Sequence, residues 1–159
     1  MGRFSKKDKK ENKPIEQQTK PLQPLNYEPK IIIGWAEAVG GNMDIRDWFA
    51  QNGYEELSVF CYALILKTDA RDWLMKNGYA HLMAMIHAVE EDKGALEWLD
   101  RYGFTKLKYL ALAGQGELEG YKWIKENATV EFYMLAQKIQ EVKDQIEENH
   151  NDTHTFGVD

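Results

Sequence analysis

The chain has 159 residues, 43% of them hydrophobic and 29% charged, with a formal net charge of −6 and a single cysteine. That is one domain's worth of chain, long enough for a core without staples, and one cysteine excludes both an intramolecular disulfide and a cysteine-built zinc site. No run approaches the roughly 18 apolar residues of a spanning helix, and no apolar stretch follows the charged start, so a soluble cytoplasmic protein is expected.

Residues 1–29 stand apart. All four prolines (Pro14, Pro21, Pro24, Pro29) fall there, and its apolar residues are only Met1, Phe4, Ile15, Leu22, Leu25 and Tyr27. It carries seven Lys or Arg against four Asp or Glu, whereas residues 30–159 carry 13 against 22. A basic arm is therefore joined to a strongly acidic body. A polar, proline-spaced stretch buries too little surface to offset its ordering entropy, so 1–29 is expected to be a disordered arm. Its lysines (Lys6, Lys7, Lys9, Lys10, Lys13) offer weak contact to an anionic surface, and a solubilising tether is the simpler expectation. Met1-Gly2 opens a myristoylation pattern, but Lys6 stands where Ser or Thr is wanted.

Beyond the arm the chain repeats. Trp48, Trp73, Trp98 and Trp123 are each 25 residues apart. Neighbouring columns keep phase: Phe49, Leu74, Leu99 and Ile124 follow the tryptophans, and Ala38, Ala63, Ala88 and Ala113 precede them by ten. Gly53, Gly78 and Gly103 stand five residues after the first three. Fixed-period similarity of this kind signals stacked units that cannot bury their apolar faces alone.

Each unit reads as two short helices. Leu57, Phe60, Cys61 and Leu64 share one helical face, as do Leu82, Met85, Ile86 and Val89. The second half repeats the spacing with Ala70, Trp73 and Leu74, and the glycines stand where a left-handed residue stops a helix. The spacing predicts helices over 30–39, 43–52, 55–66, 69–77, 80–90, 93–102, 105–114, 117–126 and 130–148. The last has a stripe of Phe132, Leu135, Ile139, Val142 and Ile146 and a charged opposite face, as a terminal cap needs. Residues 150–159 are expected to be a flexible tail. The fold class is thus all-α: an α-solenoid of about four and a half 25-residue hairpins over 30–149, with a longer C-terminal capping helix. The Trp column is expected to be the buried seam, with Trp73→Ala costing about 3–5 kcal/mol.

The unit from Phe104 to Ala128, with Ala113, Gly116, Leu118, Glu119 and Ile124 close to the matching places, resembles the helical part of an ankyrin repeat. The period of that family is 33 rather than 25, and neither its β-turn finger nor its Thr-Pro-Leu-His motif is present. The resemblance implies a protein-binding scaffold and carries over no binding residues.

Chemistry is sparse. Gly114 to Gly120 is similar to a dinucleotide loop, but its spacing is off by one and no strand precedes it, so a tight interhelix turn at Gly120 is expected. His81 and His87 are six apart on one helix and face different ways, so they cannot share a metal. His87 and Glu90 share a face and offer acid–base chemistry, although a surface pair is the commoner outcome. His150 and His154 suggest only an adventitious metal. Cys61 sits on the apolar stripe and reads as a core thiol. Asp47, Asp72 and Glu97, each preceding a tryptophan, read as a solvated face, with Lys122 breaking the column. The acidic body argues against a nucleic-acid groove. No cofactor, metal or catalytic site is expected.

Two columns vary where the core columns hold: Glu37, Tyr62, His87, Leu112, and Ser58, Met83, Lys108, Tyr133. They are the candidate contact ladder for a protein partner. The expected function is a non-enzymatic scaffold or adaptor binding a protein. The alternatives are a small acidic inhibitor or immunity-type protein that binds a basic partner, and an enzyme using His87 and Glu90.

Overall fold

The computed structural model describes residues 20–158, with side chains through residue 151. The lysines from Lys6 to Lys13 and the Met1-Gly2 start lie outside the described residues. Nine helices occupy the described chain: α1 Pro29–Val39, α2 Met43–Gln51, α3 Glu55–Leu64, α4 Thr68–Lys76, α5 Ala80–Val89, α6 Lys93–Arg101, α7 Thr105–Gly114, α8 Leu118–Asn127 and α9 Val130–Val158. The first eight match the expected spans to within two residues. The ninth runs on through the segment expected as a tail, because neither proline nor glycine interrupts it before Gly157.

The same two stop signals recur around the molecule. Gly53, Gly78 and Gly103 adopt φ of +88°, +88° and +80° at the ends of α2, α4 and α6. The next residue then donates its N–H back to the helix: Tyr54 to Phe49 O at 3.0 Å, Tyr79 to Leu74 O at 2.9 Å, Phe104 to Leu99 O at 2.8 Å. This is the Schellman stop, and the Tyr54 and Phe49 rings in contact supply its apolar component. Asn52 and Asn77 add a side-chain bond to the carbonyls of Trp48 and Trp73, at 2.7 and 2.8 Å. At the opposite end, α1, α3, α5 and α7 finish in a second left-handed column: Gly41, Leu66, Glu91 and Gly116, with φ of +111°, +71°, +69° and +92°.

Odd and even helices form two layers. Helices α1, α3, α5 and α7 are buried on most of their faces, whereas α2, α4, α6 and α8 bury chiefly one apolar residue each: Phe49, Leu74, Leu99 and Ile124. Ala38, Ala63, Ala88 and Ala113 are fully buried, which lets the layers approach closely. Arg46 and Arg71, in equivalent places on α2 and α4, donate Nε to the carbonyls of Ala38 and Ala63 at 2.8 and 3.0 Å, tying each outer helix to its inner partner.

The stack closes on itself. Helix α9 packs against α7 and also, over a longer contact, against α1. Contacts therefore run cyclically through α1, α3, α5, α7 and α9, with α2, α4, α6 and α8 outside. Leu135, Ala136 and Ile139 of α9 are fully buried. The expected terminal cap is present, and it seals the first unit as well as the last.

The seam differs from the expected one. Trp48 is 48% exposed, and Trp73, Trp98 and Trp123 are half-buried. The buried column is the residue after each tryptophan. A step of one residue turns about 100° around a helix, so that neighbour faces the inner layer while the indole lies at the flank. There it stacks on a ring: Trp48 on Tyr54, Trp73 on Tyr79, Trp98 on Phe104 and Trp123 on Tyr109, with interplanar angles of 17°, 9°, 9° and 7°.

Candidate functional site

The outer helices end, and the inner helices begin, at one end of the ring. Three of the tryptophan-stacked rings, Tyr54, Tyr79 and Phe104, immediately precede an inner helix and therefore gather there, around a mouth, whereas Tyr109 lies within α7. Residues 20–28, read from sequence as part of a disordered arm, cross this mouth as an extended strap. The Gln23 N–H donates to Gly78 O at 2.9 Å, and the Gln23 carbonyl lies 2.8 Å from His81 Nε2. Leu25 and Tyr27 pack against the core, and the Tyr27 ring meets Trp35 edge-on at 6.1 Å. Lys20 Nζ donates to Asn77 Oδ1 at 3.3 Å. Composition alone misses this because the two apolar residues that pack, Leu25 and Tyr27, stand next to the body, whereas Leu22 stays 44% exposed.

Two buried polar groups hold the strap. Glu56 is 7% exposed and accepts from two phenols, Tyr27 and Tyr79, each at 3.2 Å. Burial first, and the neighbouring Glu56 charge second, push the Tyr27 hydroxyl far above its usual range and that of Tyr79 up to about 12. Both phenols are therefore donors at neutral pH. His81 is 1% exposed, and burial holds its pKa below the ordinary 6.5, so the imidazole is neutral. Its carbonyl partner assigns the proton to Nε2.

Beside the strap lies a half-open cavity of about 540 Å3, walled by Leu25, Trp35, Phe104, Leu107, Trp123 and Phe132. Its size falls in the range of small-ligand and side-chain pockets. Two buried ring nitrogens from its wall residues, Trp35 Nε1 and His81 Nδ1, have no hydrogen-bond partner. A second hollow of about 350 Å3 flanks the strap, where Lys20 lies with Glu55, Glu56 and Trp73.

The residues singled out from sequence do not form one surface. Ser58 and Met83 are buried at 7% and 3%, and Leu112 at 9%. Inner helices have neighbours on both sides, so their buried arc is wider than an i, i+3, i+4 stripe indicates. Lys108 pairs with Asp100 at 3.1 Å, and Tyr133 lies against Tyr121 at 5.1 Å. Tyr62 is half-buried under the Arg46 guanidinium, 5.0 Å from its ring. Glu37 and His87 are exposed. Glu37, Tyr62, His87 and Leu112 share a local role, because their carbonyls accept the stop bonds of the inner helices, at 3.0 to 3.1 Å.

His87 Nδ1 lies 3.6 Å from Glu90, but Arg71 grips both carboxylate oxygens of Glu90, at 3.1 and 3.0 Å. That guanidinium competes with His87 for the carboxylate a general base would need. Cys61 is 1% exposed, and burial pushes its thiol up to about 12. Gly120 is the expected close approach: a Cβ there would stand 2.3 Å from Ala113 N. Among the described residues no three His, Cys, Asp or Glu side chains gather to hold a metal, and no helix is long and apolar enough to cross a membrane.

Comparison of the chain with models of known protein families, with curated proteins and with solved structures gave no match.

Proposed function

We propose that this chain is a cytoplasmic, non-enzymatic helical-repeat module that binds a protein partner, and that the aromatic mouth is its contact site. One observation carries this reading: the mouth already seats an extended polypeptide through main-chain bonds and ring contacts. Rigid helices present the aromatic rings, which are favoured at interfaces. The outer wall favours a second reading, an acidic inhibitor or immunity-type protein. Asp47, Asp72 and Glu97 are exposed on α2, α4 and α6 and make no ion pair among the described residues.

Affinity capture from the native host separates the two. Thr105 is exposed and lines the mouth, so Thr105→Trp obstructs it without removing a core contact. A partner held by the wild type and lost with Thr105→Trp supports the mouth. A basic partner released by salt, and lost only with Asp47→Asn, Asp72→Asn and Glu97→Gln together, supports the acidic wall instead.

A further inference from the structure

Resting on the reading of the mouth as a contact site, we propose that its partner is an extended, proline-spaced peptide with a basic residue before its first proline and a bulky aromatic residue after its second. Residues 20–28 are the intramolecular stand-in for that peptide. The strap reads Lys20-Pro21-Leu22-Gln23-Pro24-Leu25-Asn26-Tyr27, a Pro-x-x-Pro segment. Such segments adopt the left-handed polyproline conformation at little entropic cost and dock on grooves lined with aromatic rings. This mouth is such a groove.

Three features define the occupant. First, the Gln23 main chain is held on both sides, by the Gly78 carbonyl and by His81, and main-chain bonds accept any residue between the prolines. Second, Lys20 lies in a hollow with Glu55 and Glu56, so a positive charge is favoured ahead of the first proline. Third, Leu25 is only half-buried, and about 540 Å3 remains beside it among Trp35, Phe104, Trp123 and Phe132. A leucine under-fills that space, whereas an indole or phenyl ring uses it and gains ring–ring contact. The strap is thus a tethered occupant of modest fit. A tether gives it an effective concentration on the order of millimolar, so it holds the mouth until a better-fitting peptide displaces it.

The test titrates two synthetic peptides by calorimetry: Lys-Pro-Leu-Gln-Pro-Leu-Asn-Tyr, and the same peptide with tryptophan in place of the second leucine. The receptors are the full-length wild type and the full-length Leu25→Ser/Tyr27→Ser variant, whose strap is weakened while the walls Trp35, Phe104, Leu107, Trp123 and Phe132 are unchanged. The variant is expected to bind at least about tenfold tighter than the wild type, because its tethered competitor is weakened. The tryptophan peptide is expected to outbind the leucine peptide, and replacing both prolines by glycine is expected to abolish binding.

Two glycine variants localise the site. Gly53 and Gly78 share φ of +88°, but a Cβ on Gly78 would stand 2.4 Å from the Pro21 carbonyl, whereas one on Gly53 meets nothing within 4 Å. Added to the weakened-strap chain, Gly78→Ala is expected to lose peptide binding and Gly53→Ala to keep it. Should the double variant lose helicity, Leu25→Ser alone serves the same comparison. Equal affinity for wild-type and weakened-strap chains, binding of the glycine peptide, or indifference to Gly78→Ala overturns the proposal. If no peptide binds while a host protein is still lost on Thr105→Trp, the mouth remains a contact site and the peptide class is wrong. If neither occurs, both readings fall.

Discussion

Leu66 stands at φ +71° in the backbone position that Gly41, 25 residues earlier, fills at φ +111°. Glycine reaches this left-handed region freely, whereas a Cβ costs about 1–2 kcal/mol there. Leu66 is also 55% exposed, so little burial offsets that cost. Leu66→Gly is therefore expected to stabilise the chain by about 0.5–1 kcal/mol, net of the added entropy of the unfolded state. Urea melts with an unchanged slope measure it, and a loss of stability refutes the strain. Glu91→Gly is expected to gain less, because Glu91 lies 3.6 Å from Lys143 Nζ and gives up that pair.

The displaced seam makes a second prediction, in which leucine outranks tryptophan. Leu74 is fully buried between the layers, whereas Trp73 is half-buried and stacks on Tyr79 at 6.0 Å. Leu74→Ala is expected to cost about 3–4 kcal/mol, by lost transfer energy and the cavity left behind. Trp73→Ala is expected to cost about 1–2 kcal/mol, mostly the stacked ring contact. If the tryptophan variant proves the more unstable in parallel melts, the indoles carry the seam after all.

The repeat was legible because its period fixes spacing: alanine, glycine and the apolar stripes all depend on local helix geometry, which needs no partner. Which member of the Trp-Phe or Trp-Leu pair faces inward was not legible, since adjacent positions differ only in angle around the helix and both are apolar. The second left-handed column was hidden because Leu66 and Glu91 replace the glycine that would announce it. Closure was also hidden. The stripe of α9 reports one buried face, and nothing in its spacing says that α1 as well as α7 lies against it. The mouth arises from that closure, so its residues, Tyr27, Trp35, His81, Phe104 and Phe132, come from distant parts of the chain. From spacing alone Tyr27 belongs to the arm, Phe132 to the stripe of α9, and His81 is an isolated histidine. Ser58 and Met83 show the converse: variation along a column suggests an exposed face, but the neighbouring inner helices bury both.

Cys61 offers a direct check on the core. Its Sγ is 3.3 Å from the Leu57 carbonyl, and burial pushes the thiol up to about 12. The thiolate is the reactive form, so almost none exists at neutral pH in the folded chain. A thiol reagent is expected to leave the native protein unmodified and to label one thiol when urea unfolds it. Prompt labelling without denaturant contradicts the closed inner layer around Cys61.

His81 gives stability a dependence on pH with a definite sign. Burial holds its folded pKa below 6.5, while the unfolded residue titrates near 6.5. Between those values the unfolded chain binds a proton that the folded chain refuses. Stability from this group is therefore complete above about 6.5 and declines as pH falls through 6.5 towards the folded value. His81→Gln keeps a donor for the Gln23 carbonyl but cannot take the proton. The urea midpoint is expected to fall more in the wild type than in His81→Gln when pH drops from 7 to about 5. Carboxylates elsewhere are common to both chains and cancel in the comparison. Equal drops in the two proteins assign the acid sensitivity to other groups and remove His81 from the account.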